Sequence, residues 1–535
     1  MNSLEIKKWV TGLLSPKVYD HDVENIRLIE THISWVILTG HYVYKIKKPV
    51  NLSFLDFSTL AKRHFYCYQE LIINKRLAAD YYLAVVPIYG SYASPRFVGD
   101  GEVLDYAVKM KQFPQAAQLD RLLERGCLTE KHIDSLAQKL ASFHNVVSRS
   151  SDRDQFGSPS HVHQPVLNCY QEMLARIDHK ETLERIESLR RWSNNEFEKK
   201  IDVFKLRKKQ GFVRECHGDL HLKNIAIDGN ELVIFDAIEF SEDLRWSDVI
   251  CEIAFLIMDL DEREQQFYSR RFLNRYLEIT GDYSGLQVFR YYLVYRAMVR
   301  AMVSCIRISQ ENMQEDEKEF ERQEFMAYLS LAEFYTEINR PYLFIMHGLS
   351  GSGKTTVSQK LIEATPVIRL RSDIERKRLF NIAEKFRSDV DTQKIIYSDK
   401  ANKKTYEKLR IISEDLIQSG FSVVVDATFQ KNKLREPFRK LAQTLSVSFV
   451  IIHCEASIIT LKQRVVLRVR ANNNASDADL GVLEKQIQAF EPHELLEKDS
   501  LLLIVNTDKC LSHRKMIALL ESVDIVGFNK SRFRS

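Results

Sequence analysis

A short apolar run, Tyr342-Leu-Phe-Ile-Met-His347, empties directly into Gly348-Leu349-Ser350-Gly351-Ser352-Gly353-Lys354-Thr355-Thr356. The spacing Gly-x-x-x-x-Gly-Lys-Thr, with a buried strand before it and a helix-like segment (Thr356–Ala364) after it, reads as a phosphate-binding loop. Glycines there let backbone N–H groups curl around a β-phosphate, and the following helix N-terminus adds its positive end. Lys354 is expected to reach the β- and γ-phosphates, and the Thr355 hydroxyl to hold Mg²⁺.

A chain of 535 residues is too long for one ordinary core, so two or three domains are expected. A net charge of +4 gives no global field for nucleic acid or membrane, so any anionic partner must be met by a local patch. The longest apolar stretches, Val249–Leu260 and Phe449–Cys454, fall far short of the roughly 20 residues of a membrane span. The first residues show no signal-peptide core, and the cysteines form no Cys-x-x-Cys pair, which points to reduced thiols in a cytoplasm.

The charged run Gln310–Gln323 continues at helical spacing through Phe325, Leu329, Ala332, Phe334 and Ile338, then stops at Asn339-Arg340-Pro341. A domain boundary is therefore expected near 340. Downstream, strands alternate with helices: Val367–Leu370, Ser422–Val425, Val447–His453 and Ser500–Val505 follow the first, which implies an α/β fold with a parallel sheet. Upstream, Ile26–Ile29, Trp35–Thr39, Tyr42–Ile46, Val85–Tyr89 and Leu104–Lys109 read as short strands, with a helix over Leu60–Ala78. From Leu119 the reading is mostly helical, interrupted at Phe212–Phe240.

That interruption contains His217-Gly-Asp219-Leu-His-Leu-Lys-Asn224, the His-x-Asp-x-x-x-x-Asn spacing of a kinase catalytic loop. Asp219 can accept a hydroxyl proton while Asn224 turns back toward a metal. A hairpin around Asp228-Gly229 is expected to return Asp236 beside Asn224, giving two oxygen ligands for a hard cation. Lys45 matches the strand lysine that pairs with nucleotide phosphates, but Lys47 shares its face and leaves the register open. Glu70 is the expected ion-pair partner. No glycine-rich loop precedes the lysine, so hydroxyls of the turn Glu30–Ser34, such as Ser34, are expected to cover the phosphates, with Met110–Pro114 as an adenine-binding hinge.

On these residues, together with Phe235-Asp236-Ala-Ile-Glu239-Phe240 and Trp246-Ser-Asp248, residues 1–338 resemble an aminoglycoside phosphotransferase-type kinase. The resemblance implies an α+β, protein-kinase-like bilobal fold, with a small lobe over about 1–112 and a helical lobe over 113–338. Residues 341–535 resemble P-loop kinases related to polynucleotide 5′-kinases, through Gly348–Thr355, Ser372-Asp373-x-x-Arg376-Lys377, Val425-Asp426-Ala427-Thr428-Phe429 and Arg464-x-x-x-Arg468. The whole order is similar to a bacterial fusion family that pairs the two. ATP or GTP with Mg²⁺ is implied at both sites, while the acceptors are left open. One departure is Glu252, where the family's trailing segment suggests Asp.

In the second half Asp373 follows a strand and so lies at the sheet's carboxyl edge, where α/β ligands bind. The resemblance implies that it orients and deprotonates an acceptor hydroxyl, and that Arg376 holds an acceptor phosphate or carboxylate. Asp426 ends its strand and is expected in the magnesium shell or at the acceptor. Arg464, Arg468 and Arg470 fall on one helix region resembling a lid. The preferred reading is two ATP-dependent phosphotransferase domains acting on small-molecule hydroxyls in the cytoplasm. Its rival is a non-catalytic nucleotide- or partner-binding N-terminal module that regulates a P-loop ATPase or kinase. A third, a nucleic-acid 5′-end kinase, rests on the basic cluster Arg369, Arg371, Arg376, Lys377 and Arg378, which lacks interleaved aromatics.

Overall fold

The computed structural model describes residues 3–52, 55–310, 313–338, 340–382, 395–471, 480–488, 500–523 and 525. The chain divides into two compact units. One comprises residues 1–132, 142–165 and 204–259, and the other 133–141, 166–203 and 260–535.

The first unit contains an antiparallel six-stranded sheet: β1 (Arg27–Glu30), β2 (Ser34–Leu38), β3 (Tyr42–Lys47), β4 (Tyr82–Ser91), β5 (Ser94–Arg96) and β6 (Val103–Lys111). Its order is β1-β2-β3-β6-β4-β5. Alternation along β3 sends Tyr44 and Ile46 into a core with Trp9, Trp35 and Ile37, and sends Lys45 and Lys47 to the opposite face. Helix α1 (Leu60–Ala78) lies on that second face and buries Cys67, Glu70 and Asn74. Thr59 caps its start by accepting from the Lys62 amide at 3.3 Å. Farther along, β7 (Val213–Glu215) leads to the hairpin β8 (Ile225–Asp228) and β9 (Glu231–Ile234), which pairs Ile225 with Ile234. The strand β10 (Trp246–Asp248) pairs back on β7 and runs into helix α2 (Val249–Glu262), apolar on nearly every side and buried.

The second unit is built on a parallel sheet of β11 (Tyr342–His347), β12 (Val367–Arg371), β13 (Ser422–Asp426), β14 (Ser448–Glu455) and β15 (Leu501–Asn506), in the order β12-β13-β11-β14-β15. Its inner strands are unbroken apolar runs, as a sheet covered on both faces requires: Leu343, Phe344, Ile345 and Met346 have no exposed surface. Helices expected with the upstream half pack in this unit. Tyr335, on the helix Glu315–Thr336, donates to Asp261 at 2.8 Å, and Arg290 donates to the Gly420 carbonyl at 2.9 Å.

Helix α3 (Gln266–Thr280) supplies what the sheet edge needs. As an edge strand β12 has backbone groups that no strand pairs. The Asn274 amide nitrogen donates to the Val367 carbonyl at 3.1 Å, and its oxygen accepts from the Arg369 N–H at 2.7 Å. Arg270 donates to the Ala364 carbonyl at 2.7 Å, at the C-terminus of helix α4 (Lys354–Ala364), where the helix dipole favours a cation. Asn274→Ala would leave both buried backbone groups of β12 without partners, at about 1–3 kcal/mol each. A fall of the second unit's urea midpoint, with the first unit's transition unmoved, is the expected result.

Candidate functional sites

In the first unit a lysine–carboxylate cluster sits between β3 and α1. Glu70 accepts from Lys45 at 2.8 Å and from Lys47 at 2.7 Å. Lys45 continues to Asp236 at 2.5 Å, whereas Lys47, fully buried, continues to Glu239. Lys45 thus reaches the metal-ligand candidate Asp236, whereas Lys47 is enclosed between Glu70 and Glu239. Burial opposes the charge of both lysines, but Asp236 and Glu70 around Lys45, and Glu239 and Glu70 around Lys47, raise both pKa values above the ordinary lysine range. Burial likewise opposes the Glu70 charge, and the two lysines overcome it, holding its carboxyl at about 2. Glu239 goes the other way, because burial outweighs its lysine partner and raises its pKa.

The catalytic-type loop is joined to this cluster through the hairpin. The Phe235 N–H donates to the Asn224 carbonyl at 3.0 Å, so the two ligand candidates sit at one end of the β8–β9 pair. Asp236 adopts φ +64°, and its N–H donates to the Tyr82 hydroxyl at 3.1 Å. The Asn224 amide nitrogen donates to the Asp219 carboxylate at 3.2 Å, which leaves the amide oxygen as the ligand-type atom. An amide oxygen and a carboxylate form the hard donor set that suits Mg²⁺. His217 is fully buried, and burial lowers its pKa. The neutral ring fits both its bonds: Nε2–H donates to the Phe235 carbonyl at 2.8 Å and Nδ1 accepts from the Asp219 N–H at 3.3 Å.

Glu252, read on sequence only as a departure, is the anchor of this loop. Its carboxylate accepts from the His217 and Gly218 amides, each at 2.9 Å, and lies 3.3 Å from the His144 ring. Burial opposes its charge, but the His144 bond and these amides hold its carboxyl at about 2. Ser34 corrects another expectation. Its hydroxyl is wholly buried at the start of β2, opposite Lys47 in register, and a buried hydroxyl cannot cover a phosphate entering from solvent.

In the second unit the loop Gly348–Thr356 curls as its glycines require. Gly348 (φ +139°) would place a Cβ 2.6 Å from the Cys454 carbonyl, and Gly353 (φ +85°) opens helix α4. The Lys354 ammonium donates to the Gly348 and Leu349 carbonyls at 2.9 and 2.8 Å, folding over the loop. Ser350, Gly351, Gly353, Lys354, Thr355 and Thr356 line a cavity of about 880 Å³. Asp373, Arg376, Asp426 and Arg464 line the same cavity, so the predicted donor and acceptor residues are brought together. Asp373 is the second residue of helix α5 (Ser372–Leu379), and Arg371 holds the N-cap position. Arg376 donates to the Ile396 carbonyl at 3.1 Å and to Asn402 at 2.5 Å, with Tyr397 beneath its guanidinium. Arg464, on helix α6 (Ile458–Ala471), donates to the Thr507 carbonyl at 2.7 Å beside the loop. Arg468 and Arg470 lie on that helix, but their side chains fall outside the described residues.

Asp426 accepts from the Ser358 hydroxyl at 3.2 Å, with the Arg371 guanidinium 4.0 Å away. Its carboxylate and the Thr355 hydroxyl are again hard oxygen donors. Ser358 carried no spacing signal on sequence, Glu239 was marked only within the motif around Asp236, and Arg371 only within the basic cluster. Tyr397, Tyr406 and Phe438 also line the cavity with Arg371 and Arg376. Arg369 and Lys377 of the basic cluster are buried and do not line it, so the cluster is not the surface patch the sequence suggested.

Residues 108–289 match the model of a phosphotransferase enzyme family, and residues 343–493 match that of an AAA domain. Over 458 residues the chain is 28% identical to uncharacterized proteins of Mycobacterium tuberculosis (strain ATCC 25618 / H37Rv) and Mycobacterium bovis, spanning 84% of this chain and 87% of theirs. Among solved structures it is similar to an amicoumacin kinase in complex with AMP-PNP, Ca²⁺ and Ami (14% identity, TM-score 0.40), over 62% of this chain and 96% of that one. It is also similar to the Mycobacterium tuberculosis APS kinase in complex with AMPPNP and APS (19% identity, TM-score 0.25), over 34% of this chain and 98% of that one. The phosphotransferase-family match covers Asp219, Asn224 and Asp236, and the AAA-domain match covers the Gly348–Thr356 loop and most of the parallel sheet.

Glu252→Gln is expected to destabilise the first unit by about 3–5 kcal/mol at pH 7, because the His217 and Gly218 amides lose a buried charged acceptor. The folded carboxyl lies near 2 against an ordinary 4.5, so its contribution is present above 4.5 and fades as pH falls through about 2. Unfolding midpoints of wild type and variant should therefore converge across that window.

Proposed function

We propose that this is a bifunctional ATP-dependent phosphotransferase, with domains over 1–338 and 341–535 that each transfer a γ-phosphoryl group to a small-molecule hydroxyl in the cytoplasm. The observation that carries the reading is the continuous set Asp219–Asn224 and Lys45–Asp236, joined through the Phe235–Asn224 backbone bond. It supplies a base, two ligand-type oxygens and a phosphate-pairing cation in one place. A binding-only module needs no carboxylate beside the acceptor position, and this favours turnover over the regulatory reading.

In the first domain Asp219 takes the acceptor's hydroxyl proton, and Lys45, braced by Glu70, pairs with the donor phosphates. Asn224 and Asp236 would hold Mg²⁺, which when bound neutralises phosphate charge. In the second, the amides of Gly348–Thr355 and the Lys354 ammonium grip the β- and γ-phosphates, and Thr355 and Asp426 would hold the metal. Asp373 orients and deprotonates the acceptor hydroxyl, while Arg376 meets an acceptor anion and Arg464 meets the transferring phosphate. Cations and rings at the acceptor end of the cavity, Arg376, Lys403, Lys431, Tyr397, Tyr406 and Phe438, suit an anionic acceptor with a planar group, a nucleic-acid 5′ end among them.

The test is a metabolite screen for ATP-dependent gain of one phosphate. Asp219→Asn is expected to lower one set of products about 10²–10⁴-fold, the usual share of a general base, and Lys354→Ala to abolish a different set. If Asp219→Asn matches wild type on every product while Lys354→Ala removes them all, the first domain is a binding module.

A further inference from the structure

Glu278, near the end of α3, lies inside the stretch that matches the phosphotransferase family, yet its carboxylate meets Arg369 and Arg371 of strand β12. Its side chain is 1% exposed. One oxygen accepts from Arg369 at 2.7 Å, and the other lies 3.7 Å from Arg371 and 3.6 Å from Arg275. Arg369 and Arg371 are the inward pair of the edge strand β12, and both continue toward Asp426. Arg369 donates to the Ser358 hydroxyl at 3.4 Å, Ser358 meets Asp426 at 3.2 Å, and Arg371 stands 4.0 Å from the same carboxylate oxygen. The contacts close a ring: Glu278, Arg369, Ser358, Asp426, Arg371 and back to Glu278.

We propose that Glu278 is a positioning residue of the P-loop site, holding Arg369 and Arg371 away from Asp426 so that the Asp426 carboxylate stays open to a divalent cation. Two guanidiniums share two carboxylates in this ring. Removing the Glu278 charge leaves both to Asp426, and Arg371 has only to close 4.0 Å to a hydrogen bond to occupy the oxygen. The extra positive charge also opposes a cation while favouring phosphate. The phosphotransferase-type helix is thereby part of the second catalytic centre. This inference rests on the nucleotide-site reading of that centre.

The experiment measures binding of a fluorescent non-hydrolysable ATP analogue to the full chain across a Mg²⁺ titration. The component that Lys354→Ala removes is assigned to the P-loop. Glu278→Gln is expected to raise the half-saturating Mg²⁺ concentration of that component about tenfold, a usual size for coupling between neighbouring groups. Affinity in EDTA should be unchanged or tighter, and adding Arg371→Gln should bring the Mg²⁺ requirement back. A purely structural glutamate would shift the melting temperature and leave the Mg²⁺ requirement alone, and that outcome overturns the proposal. If Glu278→Gln does not fold, Glu278→Asp is expected to move the requirement in the same direction, and no movement overturns it equally. A wild type with no component sensitive to Lys354→Ala would remove the nucleotide-site reading as well.

Discussion

A carboxylate taken out of water persists as an anion only where donors surround it. In each unit a helix glutamate with almost no exposed surface meets that condition by gathering the groups of a site around itself. Glu252 collects the His217 and Gly218 amides and the His144 ring, and so fixes the loop that presents Asp219. Glu278 collects Arg369, Arg371 and Arg275, and so fixes the strand that ends beside Asp426. The geometry of both centres follows from where these two charges are buried.

Under the proposed function, the two sites would grip phosphate by different physical means. The second uses main chain: three glycines at positive φ let the loop turn tightly enough for its amides to converge, and Lys354 closes over it. The first uses side chains, an ammonium, an amide and two carboxylates, tied into one network by a two-stranded hairpin. A main-chain site is robust to side-chain rotation, whereas a side-chain site must be braced. That difference fits the buried Lys47–Glu239 pair beside Lys45.

Much of this was legible in the sequence because it is local. The parallel sheet follows from apolar runs separated by helical periods, and the loop from the spacing of Gly348, Gly353 and Lys354. The nearness of Asn224 to Phe235-Asp236 was readable because a hairpin of fixed length brings its two ends together. What escaped depends on pairing across long sequence separations. Lys45 and Lys47 share a face, and only Asp236 and Glu239, some 190 residues on, tell them apart. Ser34 looked available in a turn, but the fold placed its hydroxyl inside. Glu252 looked like a substitution, though its longer side chain still reaches two amides. Nor could any spacing announce that α3 completes the edge of a sheet beginning 62 residues after Thr280, because edge complementation by Asn274 leaves no periodicity.

Two separate pockets for a metal-bound triphosphate in one chain are the central proposal. Calorimetric titration of the intact protein with AMP-PNP at saturating Mg²⁺ measures this directly. Two equivalents bound per chain is the result it predicts, and a single equivalent, or none, would contradict it.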